Sequence, residues 1–418
     1  MTGMHSVLIS VEEVIKARHR LRGVARETPL MRSTRLSEQY GAQVYLKRED
    51  LQEVRSYKIR GSYNKMSSLT PDERERGVVC ASAGNHAQGL AYACKAMQVR
   101  GTIFMPVVTP AQKVRKVRMF GGDYVEVVLI GDTYDDAYAE SMRVAEERGL
   151  TYVHPFDDPK TIAGQGTVGL EILDAATQPI DMVVLAVGGG GLSAGIGSVF
   201  HQLSPDTQLI GVEPAGAPAM YESIRQGQIV TLDTIDSFVD GAAVRRVGTH
   251  NFPIVAATFE RIELVDEGKV CGVMLDLYNE DGLVVEPAGA LSIAVLDQLG
   301  DLRGKRIVCV VSGGNNDITR TPEIQERALM YAGLKHYFIV QFPQRSGALR
   351  DFLDVLGPDD DITHFEYTKK HNRAMGPALV GIQLGQRGGF EQLLERMNER
   401  KMRFEHLNDQ PILFEMLI

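Results

Sequence analysis

Met182-Val183-Val184-Leu185-Ala186-Val187-Gly188-Gly189-Gly190-Gly191-Leu192 is the stretch that decides the fold. An apolar run of strand length passes into glycines and then into a small-residue helix from Ser193 to Leu203. Glycines at such a junction let the backbone approach a ligand, and successive N–H groups at a helix start bind an anion. No Gly-Lys-Ser/Thr follows, so the stretch is not a nucleotide P-loop, and it lacks the Gly-x-Gly-x-x-Gly dinucleotide spacing. A phosphate explains four consecutive glycines here better than a plain flexible turn does.

Strands alternate with helices on both sides of this junction. Upstream, Gly77 to Ala81, Gly101 to Val108, Tyr124 to Ile130 and Tyr152 to His154 read as strands. The helices between them run from Gly84 to Met97, Pro110 to Phe120 and Thr133 to Arg148. Downstream come a helix from Thr161 to Ala176, a strand from Leu209 to Glu213, helices from Gly268 to Tyr278 and Glu286 to Leu299, and a strand from Arg306 to Val311. This alternation predicts βαβ units in an α/β fold, with ligands at the carboxyl ends of parallel strands. Two parallel-sheet lobes are expected, an inner one at about 57–155 and one built from the remainder of a catalytic domain at 1–325. Beyond Pro322 the order becomes β-α-β-β-α-β, the ferredoxin-like pattern, ending in a strand near Ile412 to Met416. Residues 334–418 contain no nucleophile-base set or phosphate loop and read as a regulatory or assembly module.

The totals exclude several function classes. A chain of 418 residues with 44% hydrophobic and 24% charged residues is ordinary globular material for two or three units. A formal net charge of -9 without a basic block argues against nucleic-acid binding. Cys80, Cys94, Cys271 and Cys309 have no paired metal spacing and are expected to be free thiols in a reducing compartment. Met1 to Ser10 lacks a basic region followed by an apolar core, and no apolar run reaches membrane-spanning length; a cytoplasmic protein without membrane partners is expected.

Three further segments carry chemistry. In Ser56-Tyr57-Lys58-Ile59-Arg60-Gly61 the lysine is either a solvated helix-start residue or a partly desolvated amine held as a Schiff base to an aldehyde cofactor. Ser82-Ala83-Gly84-Asn85-His86 follows a strand and opens a helix. Its N–H groups and the Ser82 hydroxyl suit a carboxylate and Asn85 suits a phenolate-type oxygen, although Ser82 and Asn85 are also good helix caps. His86 could be a general base, but at a helix start it is more often a packing or orienting residue. Ser312-Gly313-Gly314-Asn315 puts a hydroxyl at another strand end, where it suits a ring nitrogen or a simple turn. Together these segments describe an aldehyde cofactor bearing a phosphate, with an amino-acid substrate.

In this order the four motifs resemble the fold-type II, tryptophan synthase β-like, family of pyridoxal-phosphate enzymes. The lead-in Lys47-Arg48-Glu49-Asp50 and the tail from Gly333-Leu334-Lys335-His336 resemble biosynthetic threonine ammonia-lyases (threonine dehydratases). The resemblance covers essentially the whole chain. It implies pyridoxal 5'-phosphate as cofactor, bonded to Lys58, with Asn85 at the ring hydroxyl, Gly188, Gly189, Gly190, Gly191 and Leu192 at the phosphate, and Ser312 at the pyridine nitrogen. Residues Ser82, Ala83, Gly84, Asn85 and His86 would take the substrate carboxylate. The implied reaction is loss of water and ammonia from L-threonine to give 2-oxobutanoate. The implied regulator is isoleucine on a single ACT-like module, with a part for valine left open, and the implied assembly is a homotetramer. A catabolic serine/threonine dehydratase and a non-catalytic amino-acid sensor on the same fold are the alternatives. Metal-dependent relatives carry an aspartate six residues after the acid at the Glu213 position. Here that residue is Ala219, so no divalent metal is expected, while Glu213 with backbone carbonyls stays open to a monovalent cation.

Overall fold

The computed structural model describes residues 7–367 and 374–417. The chain divides into two compact units, Met1–Ile318 and Thr319–Ile418.

The first unit holds two sheets. Four parallel strands, in the spatial order Val125–Leu129, Gly101–Met105, Val78–Ala81 and Thr151–Tyr152, form the smaller one. The larger has six strands in the order Leu30–Arg32, Gln43–Arg48, Arg306–Val311, Met182–Ala186, Gln208–Pro214 and Arg261–Val265. All of its pairings are parallel except the outermost, where Leu30–Arg32 runs antiparallel to Gln43–Arg48. The apolar runs read as strands are buried at every position in Val78–Ala81 and Met182–Ala186, as a sheet covered on both faces requires. Elements with weaker signals went unforeseen, among them Leu30–Arg32, Arg261–Val265 and the helices Thr34–Tyr40 and Asn251–Thr258.

The helix Pro159–Ala175 joins the lobes and is buried over most of its length. Small residues let its neighbours approach closely. A Cβ on Gly164 would lie 2.5 Å from the Arg60 carbonyl, and one on Gly195 would lie 2.5 Å from the Gly166 nitrogen. Against this helix sits a buried charge cluster. The Arg60 guanidinium meets Glu49 (2.8 Å) and Glu171 (2.5 Å), Lys47 meets Glu171 (2.5 Å), and Thr28 Oγ1 donates to Glu49. Burial alone would raise Glu49, but Arg60 outweighs it and holds the carboxyl below its usual range. The charged lead-in at Lys47 to Glu49 is therefore interior framework rather than solvated surface.

The second unit opens with the helix Thr321–Tyr331, followed by an antiparallel four-stranded sheet in the order Asp361–Tyr367, Met375–Gln383, Lys335–Pro343, Arg403–His406. Helices Ala348–Leu353 and Gly389–Glu399 supply Phe352, Leu393 and Met397 to its core. The β-α-β-β-α-β order is present, but its last strand is misplaced in the sequence reading. Arg403–His406 pairs with the first strand, whereas Pro411–Leu417 is a helix with proline at its first position. Among the described residues no helix is long and apolar enough to cross a membrane.

Candidate active site

Lys58 opens the helix Lys58–Ser67. The turn before it is fixed by the 312–314 segment. Tyr57 N–H donates to the Ser312 carbonyl (3.2 Å), Gly314 N–H donates to the Arg55 carbonyl (2.9 Å), and Ser56 bridges Gly313. Arg55 takes a left-handed φ of 57°, a strained choice for arginine, and its guanidinium donates to the Gly314 carbonyl. The segments that carry the lysine and the serine predicted to serve one cofactor are thus joined through their backbones.

The Lys58 amine donates to the Pro155 carbonyl at 2.8 Å and lies 5.4 Å and 6.0 Å from the Tyr57 and Phe156 ring centres. It has no carboxylate partner at contact distance among the described residues. Burial lowers its pKa to about 8, against the opposing pull of Glu286. An amine of this kind is a working nucleophile near neutral pH.

The segment Ser82 to His86 lies at the carboxyl end of Val78–Ala81. Neither Ser82 nor Asn85 caps the following helix Asn85–Met97; the cap position is Gly84, without a side-chain bond. Ser82 Oγ accepts from Gly84 N–H, and the Asn85 amide donates to Glu286 (2.7 Å) and accepts from Asn315 (2.7 Å). His86 points into the core, bonded to the Val153 carbonyl (2.8 Å) and the Ser62 hydroxyl (3.3 Å). Burial holds its imidazole down at about 3, so it is a neutral packing group and not the base.

The glycine run follows Met182–Ala186 as expected and opens the helix Gly191–Leu203, with Gly190 left-handed at φ 91°. Side chains here would collide with the surroundings: a Cβ on Gly188 would lie 2.8 Å from the Ala242 carbonyl, and one on Gly189 2.5 Å from the Phe156 ring. Among the described residues the N–H groups from Gly188 to Ser193 have no protein acceptor, and the buried Ser193 hydroxyl has no partner. Donors without acceptors at a helix start fit a phosphate.

Glu286 is the residue the sequence reading passed over as an ordinary helix start. It precedes Pro287–Ala294, is 6% exposed, and receives bonds from Asn85 and from Asn315 N–H (3.3 Å). Burial raises its carboxyl to about 7, with Asp240 adding and Asn85 opposing. Its Glu-Pro junction at a helix start was the available signal, and nothing local said that it would face Asn85 across the cleft. Glu213 has both carboxylate oxygens occupied by the N–H groups of Met220 and Tyr221 (2.8 Å each) at the start of Ala219–Gln226. Burial pushes it up to about 8, opposed by these two N–H groups.

A half-buried lysine of lowered pKa and a glycine run whose N–H groups lack acceptors, both in the α/β unit Met1–Ile318, fit the site of a pyridoxal-phosphate enzyme. Residues 21–313 match the family described as Pyridoxal-phosphate dependent enzyme, and residues 326–417 match the C-terminal regulatory domain of Threonine dehydratase. The chain is 53% identical over 414 residues to the L-threonine dehydratase biosynthetic IlvA of Bacillus subtilis, covering 98% of both chains. It is 52% identical over 412 residues to that of Halalkalibacterium halodurans, covering 98% of this chain and 99% of the relative. Among solved structures it resembles the processed threonine deaminase isoform 2 of Solanum lycopersicum (39% identity, TM-score 0.73, 76% of this chain and 88% of that one). It also resembles the T.th. threonine deaminase (35% identity, TM-score 0.70, 74% of this chain and 99% of that one). The chain belongs to the biosynthetic threonine dehydratase family of pyridoxal-phosphate-dependent lyases.

Proposed function

We propose that this protein deaminates L-threonine to 2-oxobutanoate and ammonia, the entry to isoleucine formation, and that isoleucine bound to the 334–418 module restrains it. The observation that carries the reading is the Lys58 amine, with a pKa of about 8, bonded to the Pro155 carbonyl beside Phe156, whose ring packs on Gly189 of the glycine run with its open N–H groups. Lys58 would hold the cofactor aldehyde and Gly188 to Leu192 its phosphate, with Ser193 Oγ as an added donor; Ser312 would take the ring nitrogen, and the Asn85–Glu286–Asn315 chain would line the ring hydroxyl side. Bound pyridoxal phosphate supplies the aldehyde for the substrate amine and a conjugated ring that accepts electron density from Cα.

The protein's own part is binding and proton transfer. The free N–H groups at the start of Asn85–Met97, with the Ser82 hydroxyl, orient the substrate carboxylate. The Lys58 amine, beside which Cα would lie, is the group on this chain placed to take the Cα proton. Ser312, a neutral hydroxyl, would not stabilise a cationic ring nitrogen, which would favour loss of the β-hydroxyl over amino transfer. The protein acts in the cytoplasm as a homotetramer.

The test is a 2-oxo-acid assay of purified protein with L-threonine and with L-serine, each with and without isoleucine. Faster turnover of threonine, slowed by isoleucine, is expected. Preference for serine without isoleucine sensitivity would instead make it a catabolic dehydratase.

A further inference from the structure

The loop from His154 to Asp157, which carries the carbonyl bonded to Lys58, touches both ends of the site. Asp157 accepts from Thr249 N–H (2.9 Å), Thr249 Oγ1 (2.7 Å), His250 N–H (2.8 Å) and His250 Nδ1 (2.9 Å). The turn pinned in this way grips the glycine run. Gly248 N–H and Asn251 Nδ2 both donate to the Gly189 carbonyl, at 3.0 Å and 2.7 Å, and Asn251 Nδ2 also reaches the Phe156 carbonyl at 3.2 Å.

The geometry has a directional consequence. In a trans peptide the carbonyl of one residue and the N–H of the next point to opposite sides. Clamping the Gly189 carbonyl from one side aims the Gly190 N–H to the other, among the N–H groups that have no acceptor. Gly190, at φ 91°, is free to rotate without that grip in a way an L side chain would resist. The Phe156 ring packed against Gly189 adds a steric stop.

We propose that Asp157 is a positioning residue for the phosphate cradle: through Thr249, His250 and Asn251 it fixes the Gly189–Gly190 peptide so that its N–H faces the cofactor phosphate. This rests on the cofactor reading above. Asp157 does not touch the cofactor; it acts through the 248–251 turn.

The test compares pyridoxal 5'-phosphate with pyridoxal, which keeps the aldehyde for Lys58 but lacks the phosphate. Cofactor-free protein is titrated with each, and bound ligand is followed by its absorbance. Asp157→Asn should weaken pyridoxal 5'-phosphate about 10-fold or more, the usual scale for an outer-shell partner, and leave pyridoxal within about twofold. Thr249→Val, a milder change that removes one bond to Asp157, should give a smaller loss with the same selectivity, and it decides the matter if Asp157→Asn does not fold. Equal weakening of both ligands, or of neither, would overturn the proposal, because a merely structural pin does not distinguish them. Wild-type protein with no preference for the phosphorylated ligand would sink the cofactor reading itself.

Discussion

The Asn85 amide donates to Glu286 Oε1 at 2.7 Å, joining a helix start of the smaller lobe to a helix start of the larger one across the cleft that holds Lys58. Glu286 is also the charge that opposes the burial of the Lys58 amine. Burial and Glu286 therefore set how readily the lysine loses its proton, and Asn85 holds Glu286 in place.

That coupling predicts a pH profile. Below about 8 the Lys58 amine is mostly protonated, so cofactor capture by the cofactor-free protein should rise about tenfold per pH unit and level off above. Glu286→Gln removes a negative charge that favours the ammonium, so the lysine pKa falls and the break in the profile moves to lower pH. Stopped-flow absorbance across the neutral and mildly alkaline range measures the break. A break unmoved or raised in Glu286→Gln refutes the coupling. Lys58→Ala should abolish both capture and turnover.

The places of the candidate segments in the fold were partly legible in the sequence. The Ser82 segment, the glycine run and Ser312 each follow directly on an apolar strand, and period and punctuation mark such junctions well, whereas Lys58 is separated from the strand Gln43–Arg48 by a further turn and loop. The contacts of Glu286 and Asp157 were not legible. Each looks like an ordinary helix-start or loop acid, and its partners lie far along the chain: Asn85 for one, Thr249 and His250 for the other. His86, read as more often a packing or orienting residue than a base, turns its side chain inward to Val153. The final strand was misplaced because Ile412 to Met416 is apolar while Arg403 to His406 is charged. Pairing with Lys335–Pro343, not hydrophobicity, makes the latter the strand.

The buried cluster of Arg60, Glu49, Glu171 and Lys47 predicts a large stability effect. Arg60→Ala leaves two carboxylates in the interior with Lys47 alone to balance them. Such a broken buried ion pair costs about 3–5 kcal/mol. Arg60→Lys should recover little, since one ammonium does not reproduce a guanidinium spanning Glu49 and Glu171 at once. Urea unfolding of the cofactor-free protein, followed by circular dichroism, gives the shift. A loss below about 1 kcal/mol in Arg60→Ala would mean that the cluster is not the anchor its burial implies.

Gly164 offers a cleaner test of packing between the helices. Its neighbour is backbone, the Arg60 carbonyl and the Gly61 Cα at 2.5 Å and 2.7 Å from an added Cβ, so no side chain can swing away. Gly164→Ala should destabilise by about 1–3 kcal/mol despite alanine's higher helix propensity. Because Lys58 opens the displaced helix, cofactor affinity should fall as well. Gly272→Ala meets nothing within 4 Å on its helix and should be neutral or slightly stabilising. Comparing the two thermal midpoints separates crowding from propensity, and equal behaviour would refute the close-packing argument.

Removal of the second unit separates regulation from catalysis. The T.th. threonine deaminase aligns over 99% of its own length with only 74% of this chain, so a shorter chain of this fold is a folded entity. The first unit here has its own sheets and core clusters, and Lys58, Asn85, Gly188 to Leu192, Glu286 and Ser312 all lie within it. A chain ending at Ile318 should therefore keep the cofactor absorbance and most threonine turnover, while isoleucine no longer slows it. Isothermal titration adds a second readout: isoleucine binds the full chain and not the truncated one. Inhibition and binding that survive truncation would move the isoleucine site into the first unit and remove the regulatory assignment of residues 334–418.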